Sequence, residues 1–131
     1  MIGLDTNVLV RYMANDDPVQ SALAADLIEW RLTPEEPGFV SMVVMVETVW
    51  VLRGRYRWVG PELAAMIEMI LAVETLLIEH ARPVAEATEA LKRGLASFED
   101  ALIDAIAREA GCSYTATFDR KALRLPGFAP V

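Results

Sequence analysis

Cysteine occurs once in this chain, at Cys112, so no disulfide can form within it, as fits a reducing compartment. Histidine also occurs once: His80 lies far from every motif described below and reads as a surface residue after a strand, not a catalytic base. No apolar run reaches the roughly 20 residues that a membrane-spanning helix needs. The longest, residues 42–46 resumed at 49–52, is broken by Glu47 and Thr48. The N-terminal Met-Ile-Gly-Leu-Asp has no basic stretch and meets an acid at position 5, which argues against a signal peptide. Internal repeats, low-complexity tracts and linkers are missing too. What remains is the expectation of a cytoplasmic chain forming one domain over residues 1–131, whose 54% hydrophobic content excludes a disordered segment. Cys112 is expected to be a small buried hydrophobe, and Trp30 and Trp50 to be core or interface residues.

An excess of basic charge is also lacking. Twelve Lys and Arg against nineteen Asp and Glu give a net charge of −7, the opposite of the usual nucleic-acid footprint. Two features soften that objection. Acids gathered on a divalent ion have much of their charge cancelled by it. The basic residues, moreover, are clustered: Arg53, Arg55 and Arg57 interleave with Tyr56 and Trp58, as in single-strand binders that combine stacking with phosphate contacts. The competing account is a solvated helix end whose arginines suit the helix dipole. Arg11 and Arg120 are further candidates for holding phosphate.

Short apolar runs alternate with longer helical patterns, the signature of an α/β fold. Strands are expected at residues 1–4, 39–41, 75–79, 113–117 and 127–131. Helices are expected at 7–14, 18–31, 42–53, 61–72, 84–95 and 99–110, with a short turn at 120–123 and a Pro/Gly loop at 33–38. Ser41 and Ser97 stand where helix N-caps belong, and Gly111 where a C-terminal glycine closes a helix. Residues 42–52 are apolar except for Glu47 and Thr48, so both sides of that helix call for cover: the sheet on one, a partner subunit on the other. Strands joined by helices run parallel, and the functional crevice of such sheets lies outside the strands' carboxyl ends.

That rule sorts the acids. Asp5 follows the first strand directly; its ordinary reading is a turn residue or helix cap. Glu47 sits in mid-helix among Val43, Val44, Val46, Trp50 and Val51, where a buried carboxylate demands metal or an arginine partner. Asp100 fits the S-x-x-D capping pattern with Ser97, and Asp104 follows it four residues on, a like-charge pair unless a cation is near. Asp119 ends the strand at 113–117, where a plain turn residue would also serve. Asp5 and Asp119 are expected at the same edge of one sheet, with Glu47 and Asp100 on flanking helices. Hard divalent ions resolve such a gathering of oxygen ligands and serve phosphoryl transfer or phosphodiester hydrolysis.

Leu4-Asp5-Thr6-Asn7-Val8-Leu9, Val46-Glu47-Thr48-Val49-Trp50-Val51-Leu52, Phe98-Glu99-Asp100-Ala101-Leu102-Ile103, Thr115-Ala116-Thr117-Phe118-Asp119 and Leu125-Pro126-Gly127 follow one another along nearly the whole chain. In order and spacing they resemble the PIN domain, specifically the VapC-type toxins of bacterial toxin–antitoxin pairs. The resemblance implies a three-layer α/β/α fold with a central, mainly parallel sheet. It also implies an endoribonuclease that uses one or two Mg²⁺ or Mn²⁺ ions per site on single-stranded or transfer RNA, homodimerisation, and inhibition by a VapB-like antitoxin. Carried over residue by residue, the metal-holding and catalytic acids are Asp5, Glu47, Asp100 and Asp119, with Asp104 auxiliary and Asn7 and Thr117 as polar support. Three alternatives stand beside this reading. A phosphatase would use Asp5 as nucleophile, although such enzymes usually carry a second acid where this chain has Asn7. A non-catalytic PIN-fold interaction module would be expected to lack some of the acids, and all four are present. The third is the same chemistry directed at DNA.

Overall fold

The computed structural model describes residues 1–131, which group into two compact units, Met1–Glu79 and His80–Val131. All strand pairing is parallel. Parallel neighbours cannot be joined by a hairpin and need crossover connections.

In the first unit the crossovers are helical. Strands β1 (Ile2–Gly3), β2 (Gly38–Val40) and β3 (Leu76–Ile78) lie in the order β1-β2-β3. Helices α1 (Thr6–Ala14) and α2 (Pro18–Asp26) separate β1 from β2, and α3 (Met42–Gly54) and α4 (Gly60–Ala72) separate β2 from β3. Local chemistry sets these boundaries. Asn15 leaves α1 in the left-handed region (φ 50°), and Asp17 caps α2 by accepting from the N–H groups of Val19 and Gln20 at 3.1 and 2.9 Å, with Pro18 in the first turn. The helix expected over 18–31 is continuous in span but changes hydrogen-bond register: residues Leu27–Arg31 form a π turn, closed by the Leu32 N–H on the Leu27 carbonyl at 3.0 Å. A glycine at 38 suits β2, since a Cβ there would stand 2.8 Å from Leu32 and 2.9 Å from Leu76 side-chain carbons.

Ser41 caps α3 as expected, accepting from the Val44 N–H at 3.2 Å. The helix is not covered all round. Met45, Thr48, Val49 and Leu52 are fully buried, and Thr48 satisfies its hydroxyl on the Val44 carbonyl at 2.7 Å. Val43 and Trp50 remain 74% and 64% exposed on the other side. Trp30 is likewise on the surface, so neither tryptophan belongs to the core.

The second unit pairs α5 (Ala81–Lys92) with α6 (Phe98–Glu109). Small buried residues (Ala87, Ala101 and Ala105) allow close packing, and Phe98, Val84 and Leu102 supply apolar bulk. Ser97 caps α6 by accepting the Asp100 N–H at 3.1 Å. Gly111, at φ 90°, closes it, with the Cys112 N–H returning to the Ala107 carbonyl at 2.9 Å. Strand β4 (Thr115–Thr117) pairs with β5 (Phe128–Pro130) in a two-stranded sheet, and a 3-10 turn (Ala122–Arg124) lies between them. Strands β1 and β4, after which Asp5 and Asp119 stand, thus belong to different hydrogen-bonded sheets, and β4 takes its partner from β5. Cys112 is exposed, not buried, because it falls just beyond the helix end. No helix is long and apolar enough to cross a membrane.

Candidate functional site

Asp5 occupies the N-cap position of α1, yet its side chain caps nothing. The carboxylate is exposed and makes no bond to the protein, so the ordinary account of this acid as a helix cap fails. Asn7, two residues on, is exposed and lines a groove of about 490 Å³ between α1 and α2, together with Arg11, Gln20, Leu23 and Arg31.

Glu47 departs from the sequence expectation in one respect. It is exposed, not buried, because the α3 face it shares with Val43 and Trp50 is the open one. No arginine neutralises it, so the ion-pair account fails as well. Helix α1 packs on α3 within this unit.

In the second unit, Asp100 lies in the first turn of α6, half-buried. The capping relation is one-sided: Ser97 accepts the Asp100 N–H, but the Asp100 carboxylate does not reach back and holds no partner. Asp119 follows β4 in a turn built from its neighbours. Its N–H donates to Thr117 Oγ1 at 2.9 Å, and its Oδ1 accepts from the Lys121 N–H at 2.8 Å, leaving Oδ2 unengaged. Thr117 thus supports the acid through the backbone. Phe118, beside it, is 89% exposed. Nothing in the apolar strand pattern singled out that ring, since an alternating strand gives a Phe either face.

Asp104 differs from the other acids. It is only 6% exposed; its Oδ2 accepts from Arg108 Nε at 3.3 Å, and its Oδ1 is buried without any hydrogen bond. Arg108 also donates to Glu86 Oε2 at 3.0 Å, and that hydrogen bond is the main reason its pKa is raised.

The arginines divide. Arg11 is committed within its unit: Nε donates to Gln20 at 2.7 Å, and Nη1 meets Asp16 at 3.2 Å and the Tyr56 hydroxyl at 3.1 Å. The Tyr56 hydroxyl in turn donates to Asp16 at 2.6 Å. This triangle joins positions 40 residues apart and had no local signal in the sequence. Arg55 lies over the Tyr56 ring, 5.6 Å from its centre. Arg57 is exposed in a left-handed conformation, and Arg120 is exposed and unpaired, while Arg53 has a partner. His80 occupies the N-cap position of α5 in a left-handed conformation, and its side chain pairs with Glu109 at 3.1 Å, in keeping with a structural surface role.

The acids without a cationic partner, Asp5 and Glu47 in the first unit and Asp100 and Asp119 in the second, offer hard carboxylate oxygens, the donor type that divalent cations such as Mg²⁺ prefer. Within neither unit do three His, Cys, Asp or Glu side chains stand together as a ready-made cage. Mg²⁺ keeps several of its waters and needs no such cage. The helices and parallel strands fit a three-layer α/β/α architecture of PIN type. The PIN domain family matches residues 2–127. No curated protein and no solved structure matches the chain.

Proposed function

The chain belongs to the PIN domain family, and we propose that it is a metal-dependent endoribonuclease acting as the toxin of a type II toxin–antitoxin pair. Family membership supports a nuclease in general, usually one employing divalent ions. The observation that supports metal dependence is the state of the acids. Asp5, Glu47 and Asp100 hold no protein partner, and Asp119 keeps one oxygen unengaged, in a chain whose Arg11 and Arg108 are already tied to other carboxylates.

Asp5, Glu47, Asp100 and Asp119 would hold the ions, and Asn7 and Thr117 would support them. A divalent ion held there would supply Lewis acidity, to activate water and to offset charge on the leaving oxygen. The protein's own contribution is placement. The start of α1, the α3 face and the capped turn of α6 each present a carboxylate without spending it on structure, and the Thr117-braced turn leaves one oxygen of Asp119 unengaged. Cleavage leaves 5′-phosphate and 3′-hydroxyl ends. Exposed rings next to two of the acids, Trp50 one turn from Glu47 and Phe118 adjoining Asp119, offer faces for unpaired bases. They favour single-stranded or loop RNA over duplex DNA. Arg53, Arg55, Arg57 and Arg120 would meet phosphates. The α1–α2 groove, with apolar Leu23 and Leu27 beside Arg31, suits an amphipathic acidic segment of a VapB-like antitoxin, and the open α3 face suits a second copy of the chain. The proposed setting is the cytoplasm.

The test is cleavage of labelled single-stranded and transfer RNA with Mg²⁺, Mn²⁺ or EDTA, using protein checked to be free of a second, smaller chain. Metal-dependent cutting is expected, and Asp5→Asn should lower it by at least about 100-fold, the upper end of what loss of an outer partner does. In EDTA the variant should keep its melting temperature, since Asp5 holds no other residue. No cleavage by partner-free protein that still binds metal would overturn the reading.

A further inference from the structure

Asp104 presents a problem in electrostatics. A carboxylate taken out of water is costly unless its lone pairs are met, and this one has a single charged partner, Arg108, on Oδ2. Oδ1 is buried with none. An orphaned acid oxygen on the same helix as Asp100 invites a metal. Its surroundings argue otherwise. A Cβ added to Gly127 would overlap Oδ1 outright and lie 2.6 Å from Cγ and 3.2 Å from Oδ2. The carboxylate therefore occupies the volume that any side chain at 127 would need. Mg²⁺ surrenders its water reluctantly and favours carboxylates with an open side. Asp5, Glu47 and Asp119 are exposed and Asp100 is half-buried, whereas Asp104 is sealed against a backbone carbon.

What the contact does reach is the turn that carries Asp119. Gly127 accepts the Thr115 N–H on its carbonyl at 2.8 Å, where β4 begins. Strand β5 then pairs residue by residue with β4 (Thr115 with Phe128, Ala116 with Ala129, Thr117 with Pro130). Thr117 Oγ1 holds the Asp119 N–H. On the other side, Asp104 stands one helical turn after Asp100.

We propose that Asp104 is a positioning residue: its carboxylate, braced by Arg108 and seated in the space left by the absent side chain of Gly127, sets the distance between Asp100 on α6 and Asp119 after β4. The geometric strut stands on its own; its bearing on metal rests on the nuclease reading above.

The test exploits the shared volume, because a methyl at 127 can fill the space a shortened residue 104 vacates. Asp104→Ala, Gly127→Ala and the double variant are melted in EDTA, and their Mn²⁺ affinities are measured by calorimetry well below the melting point. Gly127→Ala alone should lower the midpoint by roughly 5–15 °C through overpacking, and Asp104→Ala should lower it as well. The double variant should recover most of both losses. Asp104→Ala should weaken Mn²⁺ about 10-fold, and adding Gly127→Ala should bring affinity back to within about threefold of wild type, although no carboxylate remains at 104. Additive melting losses would overturn the strut. A double variant binding as weakly as Asp104→Ala would make Asp104 a metal ligand, and an affinity untouched by Asp104→Ala would reduce it to a stabilising residue. If Gly127→Ala does not fold, recovery of folding in the double variant supports the strut equally, and failure to recover overturns it. Wild-type protein that binds no Mn²⁺ would refute the nuclease reading and the positioning role, while the melts in EDTA still decide the strut.

Discussion

Tyr56, Asp16 and Arg11 show how much a single hydroxyl can govern at a distance. The Tyr56 hydroxyl bond holds the Asp16 carboxyl below the usual carboxylate range, with Arg11 adding to the effect. A depressed carboxylate pKa contributes stability that is present above the unfolded value, near about 4, and lost as pH falls through the folded one. Tyr56→Phe is therefore expected to melt below wild type at neutral pH, and the gap should narrow as pH drops below about 4. Thermal melts of the two proteins from about pH 7 to about pH 3 check this; a gap that is constant with pH would place the stabilisation elsewhere. The same residues mark what a linear reading can reach. Asp5 and Asp119 stand out in the sequence because an acid directly after a strand pattern is conspicuous, and their unengaged oxygens agree with neither being a mere cap. The exposure of Glu47 was not, because a helix of nearly uniform hydropathy does not reveal which of its sides the sheet will take. Arg11 carries no sign in the sequence that Asp16 and a tyrosine 45 residues away hold it.

Among the elements, caps set boundaries and also aim side chains. Ser97 fixes the first turn of α6, and that turn carries Asp100. Ser97→Ala should cost about 1 kcal/mol of stability, the usual value for a lost N-cap, and should weaken Mn²⁺ binding as well, whereas Ser97→Asp should restore stability. Urea unfolding beside calorimetric titration would show it; lost stability with unchanged affinity would separate the cap from the site. Every expected helix was found to within a few residues at its ends, because Asn15, Asp17, Ser41, Ser97 and Gly111 announce their own conformations. The π turn at Leu27–Arg31 went unseen, since one displaced hydrogen bond leaves a hydrophobic pattern almost unchanged. The pairing of β4 with β5 was also beyond reach: strands of three residues carry too few side chains to specify a partner by pattern alone.

At the scale of the whole molecule, the excess of acid becomes informative. On the nuclease reading proposed above, a chain of net charge −7 with several unneutralised carboxylates should gain stability from an added divalent cation. At Mn²⁺ about one hundred times the dissociation constant, linkage gives about 2.7 kcal/mol, a rise in midpoint of roughly 5–15 °C for a chain of this size. Asp5→Asn and Glu47→Gln should each shrink that rise, and scanning calorimetry with Mn²⁺ against EDTA would reveal it. An undiminished rise in both variants would mean that the ion is held elsewhere. Following the ion calls for a reporter that leaves every carboxylate intact, and the chain already contains one. Cys112 is the only thiol. It is exposed, and its backbone is pinned to the end of α6 by the bond to Ala107. A maleimide dye or nitroxide would thus attach at a single address on ordered backbone without any mutagenesis, turning an incidental residue into a built-in spectroscopic probe of the helix that bears Asp100.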